Sequence, residues 1–402
     1  MLSAAPEDKQ RHTGSELRER QVPFYQPDIG EEEIAAVTET LRSGWITIGP
    51  RTQEFERSFA NFIGAPHAVA VSSCTAALHL ALNCAGIQQG DEVITSTLTF
   101  TATGATIVHA GATPVLVDVT PDTLNLDPTQ VAKKITHRTR AIVPVHFAGH
   151  PAEMDELLAI ARAYNLVVVE DAAHALPAAY KGRRVGTIGD LTAFSFYATK
   201  NLCTGEGGML TTSREDWVEI LRTRRLHGMN RDAWRRYSAE GQWRYDVSYP
   251  GFKYNMTDLN AALGLVQLRR LPQLHARRQQ LVELYLNYLA DVEELELPVA
   301  RSEVEHAWHL FVVKIRTDML RVHRDWVMEE LRRVGIATQV HFIPLHEHSY
   351  YRSALALDRR EFPVASDAGE RMISLPLFTR MTDEDVAYVC DHLRRVVRAQ
   401  RR

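Results

Sequence analysis

Cysteine is scarce in this chain. Cys74, Cys84, Cys203 and Cys390 are scattered over 402 residues, with no CxxC pair and no partner histidine at ligand spacing. A disulfide framework and a structural metal site are therefore not expected, and the four read as reduced thiols of a cytoplasmic protein. Positive charge is not in excess either. The 46 Lys and Arg against 50 Asp and Glu leave a formal charge of −4, so neither nucleic acid nor an anionic membrane is expected as a partner. No segment offers the roughly 18 to 20 consecutive apolar residues of a membrane span. The first 20 residues lack the apolar stretch of a secretion signal.

What is present is ordinary globular material: 45% hydrophobic and 24% charged residues, with 22 Gly and 17 Pro. That amount of apolar surface serves two domains, or one large α/β domain with an appendage. Residues 1 to 20 read as a polar tail. From there to about 215 short β-branched runs alternate with polar linkers and helical stretches. AVAVS (68–72), EVIT (92–95), PVLV (114–117), AIVPV (141–145), LVVVE (166–170), TAFSF (192–196) and GMLTT (208–212) read as strands.

Their continuous apolar character fits a parallel sheet covered on both faces. Between two of them Met154, Leu157, Leu158 and Ala161 fall on one helix face. A helical region over 258–271 and a separate long helix over about 272–292 are predicted to lead out of a large domain spanning 21–271. Beyond lie a strand-like HLFVVKI (309–315), a helix around 322–334, a strand-like ATQVHFI (337–343) and a helix from about 383. This is the pattern of a smaller α+β domain over 272–402.

In parallel sheets ligands collect at the carboxyl ends of the strands, and three features fall there. VSSCTAALHLAL passes from a strand into a helix, so backbone N–H groups near Cys74, Thr75 and Ala76 are placed for an anion such as a phosphate monoester. Ser and Thr at that position equally suit a helix cap. LVVVEDAAHA ends a buried strand on Glu170 and Asp171, with His174 close behind. A carboxylate at such a strand tip calls for a cationic partner, unless it merely caps a turn. TAFSFYATKNLCTGEGG carries Ser195, then Lys200, then glycines that let backbone approach a ligand. An anion site, a carboxylate and an amine at three strand ends are what pyridoxal phosphate (PLP) requires. No GxGxxG opens a helix, so the glycines are not a dinucleotide signature.

The blocks SGWITIGPRTQEFE, VSSCTAALHLAL, GDEVITSTLTF, GATPVLVDV, VVVEDAAHA, SFYATKN, GFKYNMTDLNAALGLVQL and ISLPLF together resemble the DegT/StrS-type nucleotide-sugar aminotransferases. The resemblance is collinear from about Pro23 to the C-terminus. It implies the aspartate-aminotransferase-like fold type I of PLP enzymes, an α/β fold with a mostly parallel seven-stranded sheet in the large domain. It further implies that Lys200 holds PLP through a Schiff base, that Asp171 pairs with the pyridine nitrogen, and that Ser195 with the Thr75 and Ala76 backbone binds the phosphate. Phe100 and His174 would sandwich the ring, and Asn255 would reach in from the neighbouring subunit of a homodimer whose active sites lie at the interface.

EDAAHA, the EGG after the lysine and HAWHLF (306–311) are most similar to UDP-4-amino-4-deoxy-L-arabinose aminotransferase and related enzymes acting on 4-keto sugars. That enzyme has Trp where Phe100 stands and His where Tyr197 stands. Dehydratase relatives replace the lysine by histidine, so Lys200 implies transamination. The resemblance thus implies transfer of an amino group from L-glutamate to a TDP- or UDP-linked 4-keto sugar, with pyridoxamine phosphate (PMP) as the intermediate form of the cofactor.

Trp45 and Thr47 in SGWITIGP, with His309 and His341, are candidate sugar or pyrophosphate contacts, and Arg51 could meet a pyrophosphate. Three other readings stand beside this one. A 3-keto-sugar aminotransferase shares the same motifs. A PLP-binding regulatory protein keeps the fold without the catalysis, but Lys200 and Asp171 are intact and no basic stripe is present. A metal-dependent hydrolase is suggested by 17 histidines, including His346 and His348, yet HExxH is absent.

Overall fold

A computed structural model describes residues 20–229 and 246–402. The expected N-terminal tail, Arg20 apart, lies outside the described residues. The predicted strands form one sheet of seven: β1 His67–Val71, β2 Glu92–Ser96, β3 Thr113–Val117, β4 Thr139–Val143, β5 Val167–Asp171, β6 Leu191–Ser195 and β7 Gly208–Thr212. The spatial order is β1-β7-β6-β5-β4-β2-β3. Only β7 runs antiparallel, pairing with β1 and β6.

The strands are apolar at consecutive positions because both faces are covered. On one side the helix Cys74–Cys84 buries Ala77, Leu78, Leu80 and Ala81 against Val69, Val93, Val143 and Val169. On the other, Met154, Leu157 and Ala161 of the helix Met154–Tyr164 pack on Ile94, Ile142 and Val168. Each fully buried Val or Leu contributes about 1.5–3 kcal/mol, which makes this three-layer core the main stabilising element.

Residues 258–292 depart from expectation. One helix of 32 residues, Asp258–Leu289, replaces the two predicted, and it runs through Pro272. The missing N–H and ring clash of an interior proline cost about 3 kcal/mol. Burial on both sides of it outweighs that. Ala261, Leu265 and Leu268 pack against the helix Pro50–Ile63, while Leu281, Val282, Tyr285 and Leu289 enter the C-terminal core with Phe311, Val313 and Ile373. The expected boundary at 271/272 falls inside this helix.

The C-terminal part carries an antiparallel sheet of Leu295–Glu296, Phe311–Ile315 and Met372–Leu375, flanked by the helices Arg324–Arg333 and Asp383–Ala399. The predicted strand 337–343 does not form. Only Gln339 bridges to Ser374, and the chain then turns so that His341 and Phe342 leave the sheet and meet other rings. Among the described residues no helix is long and apolar enough to cross a membrane.

Candidate active site

The site is assembled at the carboxyl ends of β1, β5 and β6. Strand pairing sets Asp171 opposite Ala193 and Ser195 opposite Gly208. A Cβ on Gly208 would stand 2.6 Å from the Ser73 carbonyl atoms and 2.8 Å from Cys74 N. The glycines after Lys200 therefore let β7 close against the strand-to-helix turn itself. That turn and Ser195 form one wall. Ser73 Oγ accepts from Ala76 N at 3.0 Å, so the Ala76 amide is held as a helix cap. Among the described residues the amides of Cys74 and Thr75 have no acceptor, and they carry the positive end of the helix dipole.

Asp171 is only 4% exposed, yet among the described residues no cationic side chain pairs with it. Its Oδ2 accepts from Thr103 Oγ1 at 2.7 Å and its Oδ1 from Ala173 N at 3.1 Å. Burial raises its pKa above the usual carboxylate range, against the pull of those bonds and of Lys200. Beside it, Lys200 Nζ lies 3.4 Å from His309 Nε2. Burial lowers the Lys200 pKa to about 8, with Cys74 and Asp171 opposing the shift. The Cys74 thiol is pushed well up by burial, with the Asp171 charge adding to it, and donates to Ala193 O at 3.7 Å.

Aromatic and imidazole rings line the other side. His174 is buried, its Nδ1 lacks a hydrogen-bond partner, and burial holds its pKa well below the ordinary value. It lies 4.5 Å from the His309 ring and stacks on Phe342 at 5.7 Å and 19°. Phe342 also meets Phe100, at 5.8 Å and 49°. His341 hydrogen-bonds Ser374 Oγ at 2.9 Å and stacks on Phe24, and burial lowers its pKa to about 4. His309 and His341 share a cavity with Tyr25, Thr199 and Leu377.

The structure thus brings together Thr75, Phe100, Asp171, His174, Ser195, Lys200, His309 and His341. Asn255 bridges to Val71 of its own chain, at the strand end that leads to Ser73, with its Oδ1 held by Lys253 Nζ at 2.6 Å. The loop with Trp45 and Thr47 is fixed elsewhere: Trp45 Nε1 donates to Ile48 O at 3.0 Å, and Thr47 O accepts from Asp258 N at 3.0 Å. Arg51 pairs with Glu39 and Glu54. His346 hydrogen-bonds Thr97 and Ser366 through its two ring nitrogens, which is a structural role.

Four residues of the site escaped sequence reasoning. Thr103 and Asn201 are polar neighbours of Asp171 and Lys200, Phe342 sits in the segment read as a strand, and Arg278 lies in the helix read as a connector. Only Asn201, adjacent to the lysine, carried a signal in the sequence.

These residues fit PLP. Among the described residues, a buried carboxylate without a cation, an orphaned imidazole nitrogen, two uncommitted amides and an amine whose pKa is lowered to about 8 match a pyridinium nitrogen, a ring substituent, a phosphate and a carbonyl carbon.

Residues 27–394 match the DegT/DnrJ/EryC1/StrS aminotransferase family. The chain is 50% identical over 378 residues to the spore coat polysaccharide biosynthesis protein SpsC of Bacillus subtilis, which covers 94% of this chain and 97% of SpsC. Among solved structures, the PLP form of Spr1654 from Streptococcus pneumoniae has a TM-score of 0.88 at 37% identity, covering 94% of this chain and 99% of that one. Its PMP form gives the same score and identity. DesV of S. venezuelae, in complex with a ketimine intermediate, has a TM-score of 0.84 at 35% identity, covering 93% and 98% of the two chains.

Proposed function

The chain belongs to the DegT/DnrJ/EryC1/StrS aminotransferase family, and we propose that it converts a nucleotide-linked 4-keto, 6-deoxy sugar into the 4-amino sugar with L-glutamate as amino donor. It is a PLP-dependent transaminase of the sugar aminotransferase group. The observation that carries the reading is the pair Asp171 and Lys200: a buried carboxylate with no cationic partner among the described residues, beside an amine whose pKa lies at about 8.

When bound, PLP supplies an electron sink and a carrier for the amino group. Asp171 would hold a proton on the ring nitrogen, kept in line by Thr103. The Cys74 and Thr75 amides with Ser195 would hold the phosphate, and His174 and Phe100 would face the ring. Lys200 is the covalent anchor. Once released, its Nζ would move one proton in each half, off the α-carbon of the donor and onto the bound cofactor in the first, and from the cofactor onto the sugar carbon in the second. A base with a pKa near working pH is suited to both transfers. His174, His309 and Phe342 would limit the access of water to that nitrogen.

The motifs EDAAHA and HAWHLF support a 4-keto substrate, and the likeness to SpsC supports a sugar made for a polysaccharide. Exposed Phe100 (56%), Tyr197 (48%) and Ile343 (51%) at the mouth of the site support a homodimer that covers them, with Asn255 of each subunit serving its partner's site. We place the enzyme in the cytoplasm.

The test is incubation with L-glutamate and a panel of nucleotide 4-keto and 3-keto sugars, reading product mass and NMR couplings. Amination at C4 supports the proposal and amination at C3 selects the alternative within the family. A protein that binds PLP but leaves its visible absorbance unchanged by glutamate and aminates no sugar contradicts the proposal.

A further inference from the structure

Asn201 follows Lys200 directly, and the two side chains meet opposite nitrogens of the His309 ring. Its Nδ2 donates to Leu176 O at 2.9 Å and to Ala307 O at 2.8 Å. Carbonyl oxygens only accept, so that end of the amide is the NH2 group and Oδ1 is the end that lies 3.2 Å from His309 Nδ1. An amide oxygen can only accept, so His309 Nδ1 carries the hydrogen. The ring is buried among Lys200, His174 and Arg278, all of which disfavour a charged imidazolium. In the neutral ring Nε2 is then a bare lone pair, and it points at Lys200 Nζ, 3.4 Å away.

The backbone of this histidine is fixed as firmly as its ring. Arg278, 4% exposed, has no carboxylate partner among the described residues. Its Nη1 instead donates to the carbonyls of Trp308 at 3.2 Å, His309 at 3.3 Å and Leu377 at 3.0 Å. Asn201 also holds the Ala307 carbonyl. His309 is therefore clamped from the lysine segment on one side and from the long helix on the other, with His174 4.5 Å from its ring.

We infer that His309 is a positioning residue for Lys200, held by Asn201 in the Nδ1–H tautomer so that its Nε2 receives an N–H of the lysine whenever that amine is free. This rests on the proposed role of Lys200 as an amine that is released and re-formed in each half of the reaction. A free lysine side chain has rotamer entropy to lose. A fixed acceptor keeps its nitrogen at one place, within reach of the atoms it serves. Since the lone pair of His309 is occupied by that contact, His309 is not itself the base.

The test uses holoenzyme loaded directly with PMP, in which the lysine amine is free whatever the amino donor is. With 15N-labelled histidine, the ring signal lost in His309→Gln identifies His309. The expected spectrum shows Nδ1 protonated and Nε2 unprotonated; a ring protonated at Nε2, or at both nitrogens, overturns the inference. A second measurement compares His309→Leu with His309→Gln in the conversion of PLP enzyme by glutamate. His309→Leu is expected to lower kcat by about tenfold or more with KM changed by less than about twofold, and His309→Gln, which keeps an acceptor, to recover most of it. Equal losses in the two variants, or none in either, overturn it. Should His309→Leu not fold, the tautomer and the Gln variant still decide. If glutamate converts no wild-type enzyme, the proposed donor is wrong, while the spectrum of the PMP-loaded protein decides the tautomer independently.

Discussion

Thr103 Oγ1 donates a 2.7 Å hydrogen bond to Asp171 Oδ2, and because its hydrogen is thereby used, the 2.7 Å contact with Thr99 is one in which Thr99 donates. Thr99, just before the helix Thr101–His109, and Thr103 within it thus aim a hydroxyl relay at the carboxylate proposed to serve the ring nitrogen. Thr103→Val keeps the shape and removes the donor. A lost bond to a charged group is worth about 1.5–3 kcal/mol, so kcat should fall roughly tenfold to a hundredfold and PLP should bind more weakly. Asp171→Asn removes the charge itself and should cost about 2–5 kcal/mol of transition-state stabilisation. Steady-state kinetics and cofactor titration check both, and unchanged values for Asp171→Asn would reduce that residue to a turn cap.

The amine of Lys200 governs the pH response. In the folded cofactor-free protein its proton leaves at about 8, against 10.5 for an unperturbed lysine. Its reactivity toward PLP should therefore rise through pH 8 and level off above it. The same shift acts on stability. Between about 8 and 10.5 the unfolded chain holds this proton and the folded chain does not, so this group makes stability increase with pH across that window. Lys200→Met removes the increment, which denaturant titrations of the cofactor-free protein at about pH 7.5 and about pH 10 would measure.

Asp258 connects the loop that carries Thr47 to the long helix. Its Oδ1 accepts from Thr52 N at 2.9 Å and Thr52 Oγ1 at 2.6 Å, its Oδ2 accepts from Arg51 N at 3.0 Å, and its own amide donates to Thr47 O. It caps the helix Pro50–Ile63 from 206 positions away, where Gly49 offers no side chain. Asp258→Ala should destabilise the fold by about 2–3 kcal/mol, read as a lower denaturation midpoint at constant m-value.

Much of this was legible in the sequence because local and global signals agreed. The strands of the large sheet are continuous apolar runs of about the right length, and both faces of each are covered. Asp171 and Lys200 stand just past such runs, where a charged group has a functional reason to be. Elsewhere tertiary contacts decided. Pro272 reads as a helix stop, yet Leu268 and Leu281 are buried in different cores and the helix continues between them. ATQVHFI alternates like a strand, but His341 and Phe342 turn to ring contacts near Lys200 instead of pairing. Thr103 meets Asp171 through geometry that no spacing rule encodes.

Asn255 tests the shared site. Asn255→Ala should weaken PLP retention. Mixing it with Lys200→Ala should restore up to about a quarter of wild-type activity, the share expected when half the dimers are mixed and each carries one intact site. No recovery on mixing would place Asn255 in its own subunit's site, consistent with its bridge to Val71.

The most direct measurement is borohydride reduction of the purified PLP enzyme followed by mass mapping of its peptides. The account predicts a single stable adduct of reduced cofactor on Lys200, with loss of the visible absorbance, and none in Lys200→Ala. A colourless protein, or an adduct carried by another lysine while Lys200 stays unmodified, would contradict it.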